Sequence, residues 1–127
     1  MHILAVDDDP DIVDLLVMLL EAEGHQARAA YSGAEALAVI GSKRVDAVIL
    51  DVEMPDLDGV SLAQAIRAAP ETSHIAIAFA TGRPEPEIHS QFSDYVAFFP
   101  KPIADRLRSG LRHLELAAAR CASPPAA

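Results

Sequence analysis

Tryptophan is absent from this chain, and cysteine occurs once, at Cys121. A lone thiol forms no internal disulfide and has no partner for a cysteine metal motif, which excludes a disulfide scaffold and fits a reducing compartment. Aromatic residues make up only 5% of the 127 residues while hydrophobic ones make up 51%, so the core must be mostly aliphatic. Long apolar runs are missing too. None approaches the roughly 20 residues that span a bilayer, and the N-terminus enters a strand directly rather than a signal sequence. The expectation is a soluble, cytoplasmic protein with no membrane partner. Positive charge is scarce: 10 Lys and Arg stand against 19 Asp and Glu, for a net charge of −9. Such a surface repels phosphate backbones, which argues against direct nucleic-acid binding. Acids in this excess can instead hold a cation.

What is there alternates between strand and helix signals. Ile3-Leu4-Ala5-Val6 predicts a buried strand running into Asp7-Asp8-Asp9-Pro10. Asp9 and Pro10 suit the N-cap and first position of a helix that ends near Glu23 at Gly24. Gln26 to Ala30 predicts an edge strand, and Ser32-Gly33-Ala34-Glu35 is a capping box opening a helix to about Ile40. Ala47 to Leu50 is apolar without alternation, as in a strand covered on both faces. A helix from Val60 to Ala68 is expected next, with Leu62, Ala65 and Ile66 inward and Arg67 outward. Ile75 to Ala80 predicts a fourth strand, Glu87 to Gln91 a short helix constrained by Pro84 and Pro86, Tyr95 to Phe99 a fifth strand, and Ile103 to Arg120 a last helix. In the first helix Ile12, Leu15, Leu16, Leu19 and Leu20 form a stripe expected to face the sheet. Val13 and Val17 extend beyond it, which reads either as a slightly widened buried face or, more sharply, as an exposed contact patch.

Five strands alternating with five helices imply an α/β fold: a five-stranded parallel sheet, order 2-1-3-4-5, in a flavodoxin-like three-layer α/β/α sandwich. One domain over residues 1–120 is expected, with 121–127 as a disordered tail. Each unusual polar residue then falls at a strand's carboxyl end. Asp7 and Asp8 follow strand 1, Asp51 follows strand 3, Thr81 follows strand 4 and Lys101 follows strand 5. Strands 1 and 3 are neighbours at the topological switch point, where open α/β sheets bind ligands. Carboxylates gathered there repel by about 4 kcal/mol per pair at about 4 Å and an effective dielectric near 20. A cation must offset this, and all-oxygen ligands without His or Cys suit Mg²⁺. A carboxylate beside such an ion can act as a nucleophile, while a hydroxyl and an ammonium suit phosphoryl oxygens. The five histidines lack metal-ligand spacing and receive no role.

Val6-Asp7-Asp8-Asp9-Pro10, Leu50-Asp51-Val52-Glu53-Met54-Pro55 with Asp58-Gly59, Ala80-Thr81-Gly82 and Lys101-Pro102 together resemble the receiver domain of two-component response regulators. The resemblance runs in order over roughly residues 1–120. It implies that Asp51 accepts a phosphoryl group from a phosphohistidine, on a histidine kinase or a histidine phosphotransfer protein. It also implies Mg²⁺ held by Asp8, Asp51 and the backbone carbonyl of Glu53, with Asp7 acting mostly through bound water. Thr81 and Lys101 would hold phosphoryl oxygens, the Lys101–Pro102 bond would be cis, and Phe98 would be an aromatic switch.

Such a protein is not a conventional enzyme, although it catalyses its own phosphorylation and dephosphorylation. It signals to a downstream protein by changing conformation, or relays the group. Pro84, Pro86 and Pro100 depart from the family pattern on the side that would carry the output. Glu53 and Arg83 flank the implied site and are expected to pair across its mouth. Val13 and Val17 would receive a histidine-bearing helical partner or a second copy of this chain. The alternative function is a receiver-like interaction module that works without phosphorylation.

Overall fold

Polar caps and one left-handed glycine set the first element boundaries. The Asp9 side chain accepts from the Asp11 N–H at 3.0 Å and starts helix α1 (Pro10–Ala22). Gly24 then takes φ +91°, a conformation nearly free of cost only without a Cβ. Ser32 accepts from the Glu35 N–H at 3.1 Å and starts α2 (Gly33–Ser42), and Asp58 accepts from the Ser61 N–H at 2.8 Å and starts α3 (Gly59–Ala68).

The computed structural model describes residues 1–101 and 107–122. Between the helices run β1 (His2–Val6), β2 (Gln26–Ala30), β3 (Ala47–Leu50), β4 (Ala76–Thr81) and β5 (Ala97–Pro100), with α4 (Glu85–Gln91) before β5 and α5 (Leu107–Ala122) after it. The expected helix start at Ile103, the Lys101–Pro102 bond geometry and residues 123–127 lie outside the described residues. Cys121 and Ala122, expected in the tail, belong to α5.

All four strand pairs are parallel, and the order is β2-β1-β3-β4-β5. A sheet wound this way buries both faces. On one side Ile3, Ala5, Ile49 and Phe99 pack with Val13, Leu16 and Leu20 of α1 and with Leu111 and Leu114 of α5. On the other, Leu4, Val6, Leu50 and Phe79 pack with Ala36, Leu62, Ile66 and Ile88 from α2, α3 and α4.

Several helix faces differ from expectation. Val13 is fully buried and Val17 packs against the same core, so neither forms an exposed patch. Leu15 and Met18 are exposed instead, at 50% and 66%. Val13, Leu16, Val17 and Leu20 share one stripe at i, i+3, i+4, i+7, whereas Leu15 and Met18 share the opposite one with Asp11 and Asp14. The two acids draw that stripe to water. In α3, Ala63 is buried and Ala65 exposed. Arg67 is not turned away: its Nε donates to Asp94 at 2.8 Å, and its Nη1 donates to the carbonyls of Ser73 and Ile75.

The prolines are accommodated where they do least harm. Pro84 is the N-cap residue of α4 and Pro86 lies in its first turn, where no helical acceptor awaits an N–H. α4 therefore starts two residues before the expected Glu87. Pro100 ends β5, an edge strand, and Lys101 N–H restores the ladder by donating to the Thr81 carbonyl at 3.1 Å. β5 begins at Ala97 rather than Tyr95, whose hydroxyl instead donates to Glu85 of α4 at 2.8 Å.

Gly59 fixes the turn after β3. Its N–H donates to the Val52 carbonyl at 2.9 Å, and a Cβ there would collide with the Asp51 carbonyl oxygen. Backbone on both sides cannot yield cheaply. Gly59→Ala is expected to cost roughly 2 kcal/mol in urea unfolding, with the main chain of Asp51 displaced.

Candidate functional site

Strand register brings the predicted residues together. Val6 pairs with Leu50, so the next residues, Asp7 and Asp51, emerge side by side, and Asp51 N–H donates to the Val6 carbonyl at 2.9 Å. Leu50 pairs with Phe79, and Thr81 with Pro100. Thr81 and Lys101 therefore stand at the same end of the sheet. Among the described residues Asp7, Asp51 and Thr81 are the buried polar ones, at 2%, 6% and 2% exposure, while Asp8 sits on the exposed rim.

Lys101 lies between two of the acids. Its Nζ donates to Asp7 Oδ2 at 2.9 Å and to Asp51 Oδ1 at 3.3 Å. Asp7 Oδ1 accepts from the Asp9 N–H at 3.0 Å. One oxygen from each of Asp7, Asp8 and Asp51 lies within 4.8 Å of the others, an arrangement that can surround a small hard cation.

The charges respond as this crowding requires. Burial, then the negative charge of Asp7, pushes the Asp51 carboxyl up to about 6, against the pull of Lys101. Asp8 is also raised, first by desolvation and then by its hydrogen bond with Asp7. For Lys101, burial works downward, but the hydrogen bond to Asp7 and the charge of Asp51 win and hold the ammonium above its ordinary range. One ammonium thus faces more negative charge than it offsets.

A groove of about 490 Å³ opens at the site, lined by Asp8, Glu53, Met54, Pro55, Asp58 and Arg83 among others. Arg83 Nε donates to Glu53 Oε1 at 2.7 Å, so the two side chains pair at its edge. The side chain of Glu53 is thereby occupied away from the three clustered acids. Thr81 Oγ1 accepts from the Arg83 N–H at 3.1 Å. Phe98 is half-buried, paired in register with Phe79 and tilted against Tyr95 at 6.3 Å between ring centroids.

Asp56 has a role that sequence reasoning missed. Its carboxylate accepts from Gly33 N–H at 3.3 Å and Ala34 N–H at 3.2 Å, tying the loop after Asp51 to the start of α2. The bond from Ala34 is the main reason its carboxyl is held below the ordinary range. In the sequence it is one more acid in an acidic turn, with nothing to mark its partner 22 residues away.

A doubly wound parallel sheet with an acid cluster and a lysine at its switch point places charged groups where open α/β sheets bind their ligands. The chain belongs to the response regulator receiver domain family, whose model matches residues 3–109. Receiver domains are the receiving modules of two-component signalling. Response regulators work with histidine kinases and downstream targets.

The DNA-binding response regulator MtrA of Mycolicibacterium smegmatis is 32% identical over 121 residues, covering 90% of this chain and 52% of the relative. The transcriptional regulatory protein GlrR of Escherichia coli is 34% identical over 80% of this chain and 23% of its own length. The chain thus spans about a quarter to a half of these relatives. Among solved structures, a sensor protein from Polaromonas sp. JS666 is similar with TM-score 0.84 and 31% identity, covering 95% of this chain and 98% of that one. The Thermotoga maritima response regulator TrrA, solved in complex with Mg(2+)-BeF, is similar with TM-score 0.79 and 32% identity over 89% and 97%. Among the described residues, no helix is long and apolar enough to cross a membrane.

Proposed function

We propose that the chain is a phosphoacceptor in which Asp51 carries the group. The carrying observation is the Asp7–Asp8–Asp51 cluster held around Lys101 at the strand ends. A carboxylate oxygen of Asp51 attacks the phosphorus of a phosphohistidine. The P–N bond breaks, its electron pair returns to the imidazole nitrogen, and an acyl phosphate remains on Asp51. Hydrolysis by water reverses the modification.

Mg²⁺, when bound, supplies positive charge to the carboxylates and to the oxygens of the phosphoryl group. The donor set fits it, being oxygen only. Both oxygens of Asp7 already have donors, Asp9 N–H and Lys101, which favours Asp8 and Asp51 as direct ligands. Glu53 would contribute only its backbone carbonyl, since its carboxylate pairs with Arg83. The likeness to TrrA, which was solved with Mg²⁺ and a beryllium fluoride, supports this assignment.

Lys101 holds negative charge on the transferring group, and Thr81, whose Oγ1 accepts from Arg83 N–H before phosphorylation, turns to donate its hydroxyl proton to a phosphoryl oxygen. Turning the Thr81 side chain inward leaves room for Phe98 to follow. The donor approaches over α1, where Leu15 and Met18 are the exposed apolar residues. Asp11 and Asp14 on the same stripe favour a helical partner with apolar residues flanked by Lys or Arg. Leu15→Asp with Met18→Asp is expected to slow transfer from the histidine-bearing partner about tenfold, while transfer from acetyl phosphate stays unchanged.

Intact mass after incubation with acetyl phosphate and Mg²⁺ tests the function. One added phosphoryl group is expected, lost with EDTA or in Asp51→Asn. No adduct on the parent would favour the phosphorylation-independent module.

A further inference from the structure

The loop after β4 contains a residue that touches everything the switch would have to connect. Arg83 N–H donates to the buried Thr81 hydroxyl oxygen at 3.1 Å, and its guanidinium donates to Glu53 at 2.7 Å and to Glu87 at 2.8 Å. Glu53 is on the loop after β3, beside Asp51, and Glu87 is on α4. The main chain of Thr81 is pinned, because its carbonyl accepts from Lys101 N–H at 3.1 Å. Only its side chain is free to respond.

We propose that Arg83 is the positioning residue that couples the state of Asp51 to helix α4, which rests on the phosphoacceptor function above. Phosphorylation changes both of its attachments. Recruiting the Thr81 hydroxyl to a phosphoryl oxygen takes the acceptor away from Arg83 N–H. The added negative charge on Asp51, which is clustered with Asp8 at the rim of a groove that Arg83 and Glu53 also line, draws the guanidinium inward. Glu53 lines the same groove and keeps its bond, whereas Glu87 does not and loses it.

Helix α4 is built to feel this loss. It has seven residues, one buried side chain, Ile88, and no side-chain cap at Pro84. Its other described side-chain bonds to the rest of the fold run to Tyr95, which donates to Glu85 at 2.8 Å and lies 3.2 Å from His89 Nδ1. Pro84 directly after Arg83 has a fixed φ, so the loop has little slack to absorb a shift before α4 begins. Phe98 has no polar group to carry such a change in charge, and Arg83 supplies one.

Amide hydrogen exchange over residues 85–91, with beryllofluoride and Mg²⁺ as the phosphoryl mimic and acetyl phosphate adduct mass as a parallel readout, tests the coupling. Loading the parent is expected to speed exchange in α4 about two- to fivefold, the range for losing an exposed ion pair. Free Arg83→Ala and Glu87→Gln should already exchange at the faster rate and respond little to loading, with α3 exchange unchanged as the folding control. Arg83→Lys, a point charge without the fork, should give an intermediate response. A parent that forms the adduct but leaves α4 unchanged would overturn the coupling alone, as would a full response in Glu87→Gln. Absence of any adduct would overturn the phosphoacceptor function and the coupling with it.

Discussion

Lys101→Met is expected to destabilise the metal-free protein at neutral pH by roughly 3 kcal/mol, read as a lower urea midpoint. The lysine is the one cation bonded to Asp7 and Asp51 among the described residues, and their side chains are 3% and 7% exposed. Removing it leaves two buried carboxylates without a counter-charge, and such orphaned charges cost more than the pair was worth. About a quarter of the lysine side chain reaches solvent, so water relieves part of the penalty and the figure sits at the low end of the usual range. The same variant should form the Asp51 adduct more slowly, since a donor to the phosphoryl oxygens is lost.

Asp51→Asn should act in the opposite direction and stabilise the metal-free protein by up to roughly 3 kcal/mol at neutral pH. The carboxyl titrates at about 6 in the fold against an ordinary 3.8, with burial as the first cause and Asp7 as the second. A folded-state pKa above the unfolded one means that the native state holds the proton more tightly. The stability from this group is fully present below about pH 4 and is lost as pH rises through about 6. Wild-type protein in EDTA should therefore lose urea resistance across that window, and Asp51→Asn should lose less. Asp8, also raised, adds to the slope with the same sign in both proteins. Mg²⁺ should stabilise the parent more than the variant. A parent whose stability rises from about pH 4 to about pH 8 would contradict the repulsive cluster.

The two substitutions share one set of charges, so their effects should not add. Once Asp51 is neutral, Asp7 is the one carboxylate still bonded to Lys101 among the described residues, and Lys101→Met should cost roughly 1 kcal/mol less than in the parent. Equal costs in the two backgrounds would mean that the lysine acts through packing of its stem alone.

The alternation of strands and helices was legible because local chemistry writes it. Asp9-Pro10, Ser32 with Glu35, and Gly24 act on their own neighbours, and the unbroken apolar run Ala47–Leu50 belongs in a covered strand wherever its partners lie. The five polar residues at strand ends were equally legible, since parallel strands joined by right-handed crossovers all point their carboxyl ends the same way. Strand order then follows as a small choice among topologies, and the site follows from the order.

Contacts between distant segments were decided only by the tertiary structure. Which apolar stripe of α1 faces the sheet could not be ranked by hydrophobicity, because Leu15 and Met18 are as apolar as Val13 and Val17. Packing against β1 and β2 chose between them. Arg67 finds Asp94, Asp56 finds the amides of α2, and Arg83 finds Glu53 and Glu87 only when separate loops meet. The sequence by itself therefore determined the fold and the acid cluster, through periodicity and strand-end position, which are properties of single segments. The exposed face of α1 and the Arg83 fork depend on which segments become neighbours, and only the assembled sheet brings those side chains within bonding distance.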